Sequence, residues 1–225
     1  MKTQKVGFIF DLDGVIVDTA KYHYLAWKKL ANELGIDFTH EQNEMFKGVS
    51  RKRCLEILLD IGGIAATKEQ FDTWMVDKNI DYLAYIEKMD ASEILPDVPR
   101  ILKYLKDKGM PIALGSASKN ARPILEKVNL LHYFDSIVDG NSVTKAKPDP
   151  EVFIMAANNL NMSPNQCVVF EDAVAGIEAA NNAGMVSVGI GHEDILVEAK
   201  YNFQDFTEID NSFLDKLLSI EQVVK

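Results

Sequence analysis

Short apolar runs separated by helical patterns constrain this sequence more than any other feature. Each run is apolar at consecutive positions, as in strands that helices cover on both faces. The runs are Val6–Phe10, Ile112–Gly115, Ser136–Val138, Val168–Phe170 and Val186–Ile190. The helical patterns that flank the later runs are Val98–Lys108, Ala121–Val128, Pro150–Asn161 and Ala173–Ala183. This alternation predicts an α/β fold whose core is a doubly wound, Rossmann-like parallel sheet.

Between the first and second runs, the sequence shows helical patterns without a convincing strand. Patterns at Tyr24–Leu34 and Cys54–Ile61 are each followed by glycine, which often ends a helix. Thr39 and Thr67 each precede a glutamine by three residues, and this capping-box pattern indicates that further helices begin there. We therefore expect an inserted helical cap domain at residues 17–89 and a catalytic core formed by residues 1–16 and 90–225.

The charge balance limits the classes of partner. The formal net charge is -10 and the isoelectric point is about 4.9, which argues against nucleic-acid binding through a basic surface. The first apolar run is too short for a signal peptide or a membrane span. We expect a cytoplasmic monomer without nucleic-acid or membrane partners.

Two aspartates follow the first apolar run directly, in the sequence Asp11-Leu12-Asp13-Gly14. At strand periodicity both carboxylates point to the same side, where they repel each other unless one is protonated or a cation binds. Gly14 permits a sharp exit from the strand, so the carboxylates stay exposed at its carboxyl end, where open α/β sheets bind ligands. The alternative is an ordinary turn that happens to carry aspartates.

Three further stretches of sequence are expected to bring polar groups to the same edge of the sheet. Ser116 follows the second apolar run and could donate a hydrogen bond to a phosphoryl oxygen. Glu171 and Asp172 follow the run at Val168–Phe170 and offer oxygen ligands that suit a hard cation such as Mg²⁺. Lys147 precedes Pro148 in a turn and could neutralise phosphate charge; Lys145 competes for this role, and the adjoining proline favours Lys147.

Taken in order, these four motifs resemble those of the haloacid dehalogenase superfamily, and the resemblance covers essentially the whole chain. It implies that Asp11 attacks phosphorus and that Asp13 is a general acid and base. It also implies catalytic contacts from Ser116 and Lys147, and Mg²⁺ held by Asp11, the Asp13 backbone carbonyl, Glu171 and Asp172. An aspartate at position 13 implies a phosphatase or a phosphomutase and not a dehalogenase.

Three stretches further resemble the β-phosphoglucomutase branch of this superfamily. They are Asp13 to His23, Lys47 to Arg51 and Ser116 to Asn120. The resemblance implies catalytic roles for Thr19, at the hinge, and for His23. It implies that a small phosphorylated sugar contacts Trp27, Gly48, Val49, Ser50, Arg51, Lys78, Ser116, Ala117, Ser118, Lys119 and Asn120.

Several of these residues have plainer interpretations. His23 could be a packed residue of the cap, and Arg51 a solvated charge in the first turn of a helix. Lys119 could belong to an exposed helix start with Ser118 as its N-cap. A lysine inside a helical pattern, such as Lys78, is more often a surface residue.

The resemblance implies interconversion of β-D-glucose 1-phosphate and glucose 6-phosphate through an aspartyl-phosphate and a glucose 1,6-bisphosphate intermediate. A Mg²⁺-dependent sugar-phosphate phosphatase, in which water attacks the same aspartyl-phosphate, is the alternative enzyme. A noncatalytic module that binds metal or phosphate is the alternative outside enzymes, although the presence of both Asp11 and Asp13 argues against it.

Overall fold

Six parallel strands form one sheet in the computed structural model, which describes residues 5–46 and 49–219. The strands are β1 Gly7–Phe10, β2 Ile112–Gly115, β3 Ser136–Val138, β4 Cys167–Glu171, β5 Val186–Ile190 and β6 Tyr201–Phe203. Their order across the sheet is β3-β2-β1-β4-β5-β6. The order reverses direction between β1 and β4, which is where doubly wound sheets open a crevice for ligands.

Among the described residues, the insertion that follows β1 contains four α-helices, and its helical character is as the sequence predicts. They are α1 Ala20–Glu33, α2 His40–Glu44, α3 Arg51–Gly62 and α4 Lys68–Ile86. Capping boxes at Thr39 and Thr67 begin α2 and α4. The side chain of each threonine accepts from the backbone N–H of the glutamine three residues later, and the side chain of that glutamine accepts from the threonine backbone N–H. Trp27, Phe38 and Leu55 belong to an apolar cluster built within this insertion. The division of the chain at residues 17 and 89 stays a proposal.

Five more helices pack on the sheet: α5 Val98–Asp107, α6 Ala121–Lys127, α7 Glu151–Asn159, α8 Val174–Asn182 and α9 Asn211–Leu218. Phe8 and Phe10 of β1 face one apolar cluster, whereas Ile9 faces a second on the other side with Phe153 of α7. Burial on both faces explains the consecutive apolar residues, and it confirms the predicted α/β fold. Across residues 5–46 and 49–219, none of the helices is long and apolar enough to cross a bilayer.

Two elements late in the chain, the strand β6 and the helix α9, were not predicted from the sequence. The side chains of β6 are half-buried at the edge of the sheet, so Tyr201–Phe203 lacks the apolar pattern of a central strand. Asp210 is the N-cap of helix α9, and its carboxylate accepts a hydrogen bond from the Phe213 amide at 2.7 Å. Neither element carries any of the predicted site residues.

Candidate active site

A cavity of about 320 Å³ lies at the carboxyl ends of the central strands, and the core and the helical insertion both line it. Most predicted site residues line this cavity: Asp11, Asp13, His23, Trp27, Val49, Ser50, Arg51, Lys78, Ser116, Ala117, Ser118, Lys119, Asn120, Lys147 and Asp172. Thr19 and Glu171 are fully buried behind its wall. Gly48 was also predicted to contact substrate, and it lies outside the described residues.

A buried ion cluster joins three predicted residues at the base of the cavity. The Lys147 ammonium donates to Asp11 Oδ1 at 2.6 Å and to Glu171 Oε2 at 2.8 Å. Burial by itself would lower the pKa of Lys147, but the two carboxylates outweigh that effect and raise it above its ordinary value. Lys145, the competing lysine, instead pairs with Asp149 at 3.1 Å, and its side chain is 68% exposed. Lys147 is therefore a permanently charged group beside Asp11.

Glu171 and Asp172 complete an acidic group with Asp11. One carboxylate oxygen from each of the three lies within 4.8 Å of the others. The second oxygen of Glu171 accepts hydrogen bonds from the amides of Asp172 and Ala173, at 3.1 and 3.0 Å. Carboxylate oxygens held this close repel one another, which favours a hard, oxygen-binding cation among them. The donor set therefore fits Mg²⁺.

Two glycines make this acidic group possible. A Cβ atom at Gly14 would lie 2.2 Å from the Asp172 carboxylate, and Gly14 also has a φ of +81°. A Cβ atom at Gly176 in α8 would lie 2.0 Å from Glu171 Cδ. Any larger residue at either position would displace a carboxylate from the group.

Asp13 and Lys147 contact different carboxylate oxygens of Asp11. The Asp13 amide donates to Asp11 Oδ2 at 3.1 Å, which fixes the turn, and the Asp13 carboxylate accepts a hydrogen bond from the Thr19 hydroxyl. Burial and then the neighbouring Asp11 charge raise the pKa of Asp13 to about 6. A carboxyl group with this pKa can both hold and release a proton near neutral pH, as a general acid and base must.

Lys78 of α4 is buried in the cavity wall, against the plainer interpretation of a surface lysine. It is 1% exposed, and its ammonium lies 4.6 Å from the ring centre of Trp27 and 4.8 Å from that of Tyr82. Its Nζ also lies 3.0 Å from His23 Nδ1, and His23 stacks on Tyr82. Burial, followed by the Arg51 charge, lowers the pKa of Lys78 to about 7. His23 is thus both packed, as its plainer interpretation holds, and in contact with a cavity cation.

This burial predicts a pH dependence of stability. Folded Lys78 loses its proton near pH 7, whereas the unfolded chain keeps it to about 10.5, so the free energy of unfolding should rise with pH between these values. Urea unfolding at several pH values should show the wild type gaining up to ~1.4 kcal/mol per pH unit relative to Lys78→Met. Lys68→Met, at an exposed position of the same helix, is the control. Parallel curves for wild type and Lys78→Met would contradict the lowered pKa.

The loop after β2 forms a ladder of hydrogen bonds. Ser116 Oγ accepts from the Ser118 amide at 3.1 Å, and Ser118 Oγ accepts from the Asn120 amide at 3.2 Å. Ser116 is buried while Lys119 is exposed, in line with an open helix start before α6. Ser118 does not act as an N-cap of α6, because the cap position belongs to Asn120. These internal hydrogen bonds fix the shape of the loop where it lines the cavity.

Arg51 enters the cavity from the opposite side, at the first position of α3. The Ser50 hydroxyl caps this helix by accepting from the Arg53 amide at 3.4 Å. Arg51 is half-buried and lines the cavity, whereas the side chain of Arg53 is 57% exposed and pairs with Glu56. The guanidinium therefore faces the cavity and is more than a solvated charge.

Some cavity residues were not predicted from the sequence. Asn43, Phe46, Cys54 and Met75 line the cavity from the insertion, and the Asn43 side-chain oxygen is buried with no hydrogen-bond partner within residues 5–46 and 49–219. Residues of these types occur throughout helical sequences, so no local signal distinguishes those that face a cavity. Capping and periodicity place the helices but do not say which helix face meets the sheet.

Comparison with known proteins adds three similarities. Residues 6–184 match the family described as haloacid dehalogenase-like hydrolase. The β-phosphoglucomutase of Bacillus subtilis (strain 168) is 44% identical over 185 residues, which are 81% of this chain and 82% of that protein. The phosphorylated carbohydrates phosphatase of Thermotoga maritima is 32% identical over 190 residues, which are 82% of this chain and 84% of the relative.

A solved structure extends the similarity to the whole fold. The crystal structure of β-phosphoglucomutase from Clostridium difficile superposes with a TM-score of 0.91 at 38% identity, and the alignment covers 96% of this chain and 97% of that one. Such coverage includes the sheet and the inserted helices together. The fold of the sheet together with the inserted helices is therefore shared with a solved relative.

Proposed function

Since the chain belongs to the haloacid dehalogenase-like hydrolase family, we propose that it is a phosphomutase that interconverts β-D-glucose 1-phosphate and glucose 6-phosphate. The observation that carries this proposal is one cavity with cationic side chains from both the core and the insertion. Lys147 of the core lies beside Asp11, and Arg51 of the insertion lines the same cavity together with the loop that ends at Asn120. A substrate with phosphates at both ends matches this distribution of charge.

The reaction follows from groups at hydrogen-bonding distance. Asp11 carries a phosphoryl group as an aspartyl-phosphate and transfers it to a hydroxyl of the sugar, while Asp13 accepts the hydroxyl proton. The resulting glucose 1,6-bisphosphate then reorients in the cavity, so that its other phosphate faces Asp11. Asp11 then attacks the phosphorus at the other end, and Asp13 returns the proton to the departing sugar oxygen. Lys147 neutralises charge at Asp11 throughout, since it is held 2.6 Å from Oδ1.

We propose that Mg²⁺ is the cofactor, held by Asp11, the Asp13 backbone carbonyl, Glu171 and Asp172. The acidic group within 4.8 Å supports this proposal. When bound, the ion supplies positive charge that offsets the negative charge of the phosphoryl oxygens. Because Glu171 also bonds Lys147 and two amides, it orients the lysine as well. A cytoplasmic location and a monomeric state stay predictions from the sequence.

A sugar-phosphate phosphatase is the second candidate, which the similarity to the Thermotoga maritima phosphatase favours. The two candidates share Asp11 and differ in the acceptor, which is a sugar hydroxyl in one and water in the other. The test is to incubate the protein with Mg²⁺, β-glucose 1-phosphate and a trace of glucose 1,6-bisphosphate. Glucose 6-phosphate should accumulate much faster than inorganic phosphate. Faster release of phosphate would overturn the mutase in favour of the phosphatase.

Arg51 offers a second test of the mutase. A mutase must bind the phosphate at the end of the sugar away from Asp11, which we call the distal phosphate, whereas a phosphatase needs no matched site for it. Arg51→Ala should lower kcat/KM for β-glucose 1-phosphate about 10²-fold, as expected for a lost charge-assisted pair of ~2–3 kcal/mol. Hydrolysis of acetyl phosphate, which has no distal phosphate, should change less than about threefold. Arg53→Ala, two residues further along the same helix, is the matched control. Equal losses with both substrates would exclude a distal phosphate site at Arg51.

A further inference from the structure

A side-chain hydrogen bond joins the helical insertion to the loop that follows β2. Asn120 Nδ2 donates to Asn79 Oδ1 of α4 at 3.1 Å, and the pair is partly buried. Asn120 lines the cavity, whereas Asn79 does not border it. Asn79 is thus linked to the cavity by its side-chain hydrogen bond to Asn120.

This bond extends the ladder that begins at the end of β2. The chain of contacts runs from Ser116 through Ser118 to Asn120 and then to Asn79, with each step between 3.1 and 3.2 Å. The loop is fixed on its core side as well, because the Ser118 carbonyl accepts from the Gly140 amide at 3.0 Å. The loop is thus held from the core at one end and from the insertion at the other.

The residue before Asn79 is Lys78, whose ammonium lies 3.0 Å from His23. His23 Nε2 is in turn 3.9 Å from the Asp13 carboxylate. One turn of α4 therefore contacts the β2 loop through Asn79, and it contacts His23, the neighbour of Asp13, through Lys78.

We propose that Asn79 is a positioning residue that holds the Asn120 amide, and with it the β2 loop, in the geometry that binds the distal phosphate. The inference rests on the proposed phosphomutase and deepens it. When Asn79 accepts from one N–H of Asn120, the amide cannot rotate without breaking this bond, and its other N–H remains available to a ligand in the cavity. We therefore expect the bond to Asn79 to increase the affinity for a bisphosphate and to leave the affinity for a ligand without a distal phosphate unchanged.

The test measures binding of glucose 1,6-bisphosphate by calorimetry in the Asp11→Asn background, so that no turnover occurs. Adding Asn79→Ala should raise the dissociation constant about tenfold, as for one hydrogen bond. The dissociation constant of inorganic phosphate should stay within about twofold. Asp77→Ala, at an exposed position of the same helix, is the matched control and should change neither value.

A double-mutant cycle shows whether Asn79 acts through Asn120. Asn120→Ala alone should weaken bisphosphate binding at least as much as Asn79→Ala, and the double variant should be no weaker than Asn120→Ala. Additive losses, or an unchanged dissociation constant in Asn79→Ala, would overturn the inference. A wild-type protein that binds the bisphosphate but forms no glucose 6-phosphate would overturn the proposed function and leave the role of Asn79 to be decided by these binding constants.

Discussion

Asp11→Asn should abolish isomerisation, with turnover at least about 10⁴-fold below that of the wild type, as for the loss of a covalent nucleophile. The amide has nearly the shape of the carboxylate but is a poor nucleophile. Lys147 would keep Glu171 as a partner at 2.8 Å, so the fold should stay intact. Circular dichroism and the urea midpoint check the fold, and a coupled assay for glucose 6-phosphate checks turnover.

The same variant should fail to form an aspartyl-phosphate when mixed with glucose 1,6-bisphosphate. Intact-protein mass spectrometry after an acid quench would detect the added phosphoryl group in the wild type. Asp60→Asn, an exposed aspartate of α3, is the control and should retain both turnover and phosphorylation. Appreciable turnover by a contamination-free Asp11→Asn protein would exclude Asp11 as the nucleophile.

The parts of the site that the sequence predicts are those carried by the ends of buried strands. Asp11 follows β1, Ser116 follows β2, and Glu171 ends β4. Parallel strands bring their carboxyl ends to one edge, so recognising the strands is enough to bring these side chains together. The strands of the sheet were predicted from their consecutive apolar residues. The edge strand β6 lacks this pattern because it is only half-buried, and it was not predicted.

The residues that the sequence could not place are those whose position depends on packing between the insertion and the core. Lys78 has the sequence context of a surface lysine, yet it is 1% exposed because Trp27 and Tyr82 enclose its ammonium. Asn79 meets Asn120 across 41 positions of sequence. Periodicity within one helix carries no information on such a contact, because it depends on how that helix lies against a distant loop.

The sequence distinguishes Lys147 from Lys145 only in part. The proline after Lys147 restricts the chain but does not aim a side chain. In the structure the Glu151 carboxylate accepts from the amides of Thr144 and Lys145, at 2.8 and 2.6 Å, and so holds the start of this loop. Lys145 then pairs with Asp149 at the surface, and Lys147 extends inward to Asp11. The two lysines thus have opposite exposures two residues apart, which supplies a matched pair of variants.

Lys147→Met should cost both stability and turnover. It leaves the buried carboxylates of Asp11 and Glu171 without their ammonium, and breaking a buried ion pair in this way costs about 3–5 kcal/mol. Turnover should fall about 10³-fold, since a positive charge beside the transferring phosphoryl group is lost. The free energy of unfolding is measured in urea, and turnover with β-glucose 1-phosphate.

Lys145→Met is the control for the unfolding measurements, because its exposed pair with Asp149 contributes less than ~1 kcal/mol to stability. It is not a control for turnover, since Lys145 also lines the cavity. The unfolding measurements should be made with chelator and again with saturating Mg²⁺. A cation bound by Asp11, Glu171 and Asp172 supplies part of the positive charge that Lys147→Met removes, so Mg²⁺ should stabilise this variant more than it stabilises the wild type. If Mg²⁺ stabilised both proteins equally, the ion and the lysine would not share the same carboxylates, and the proposed metal site would be wrong.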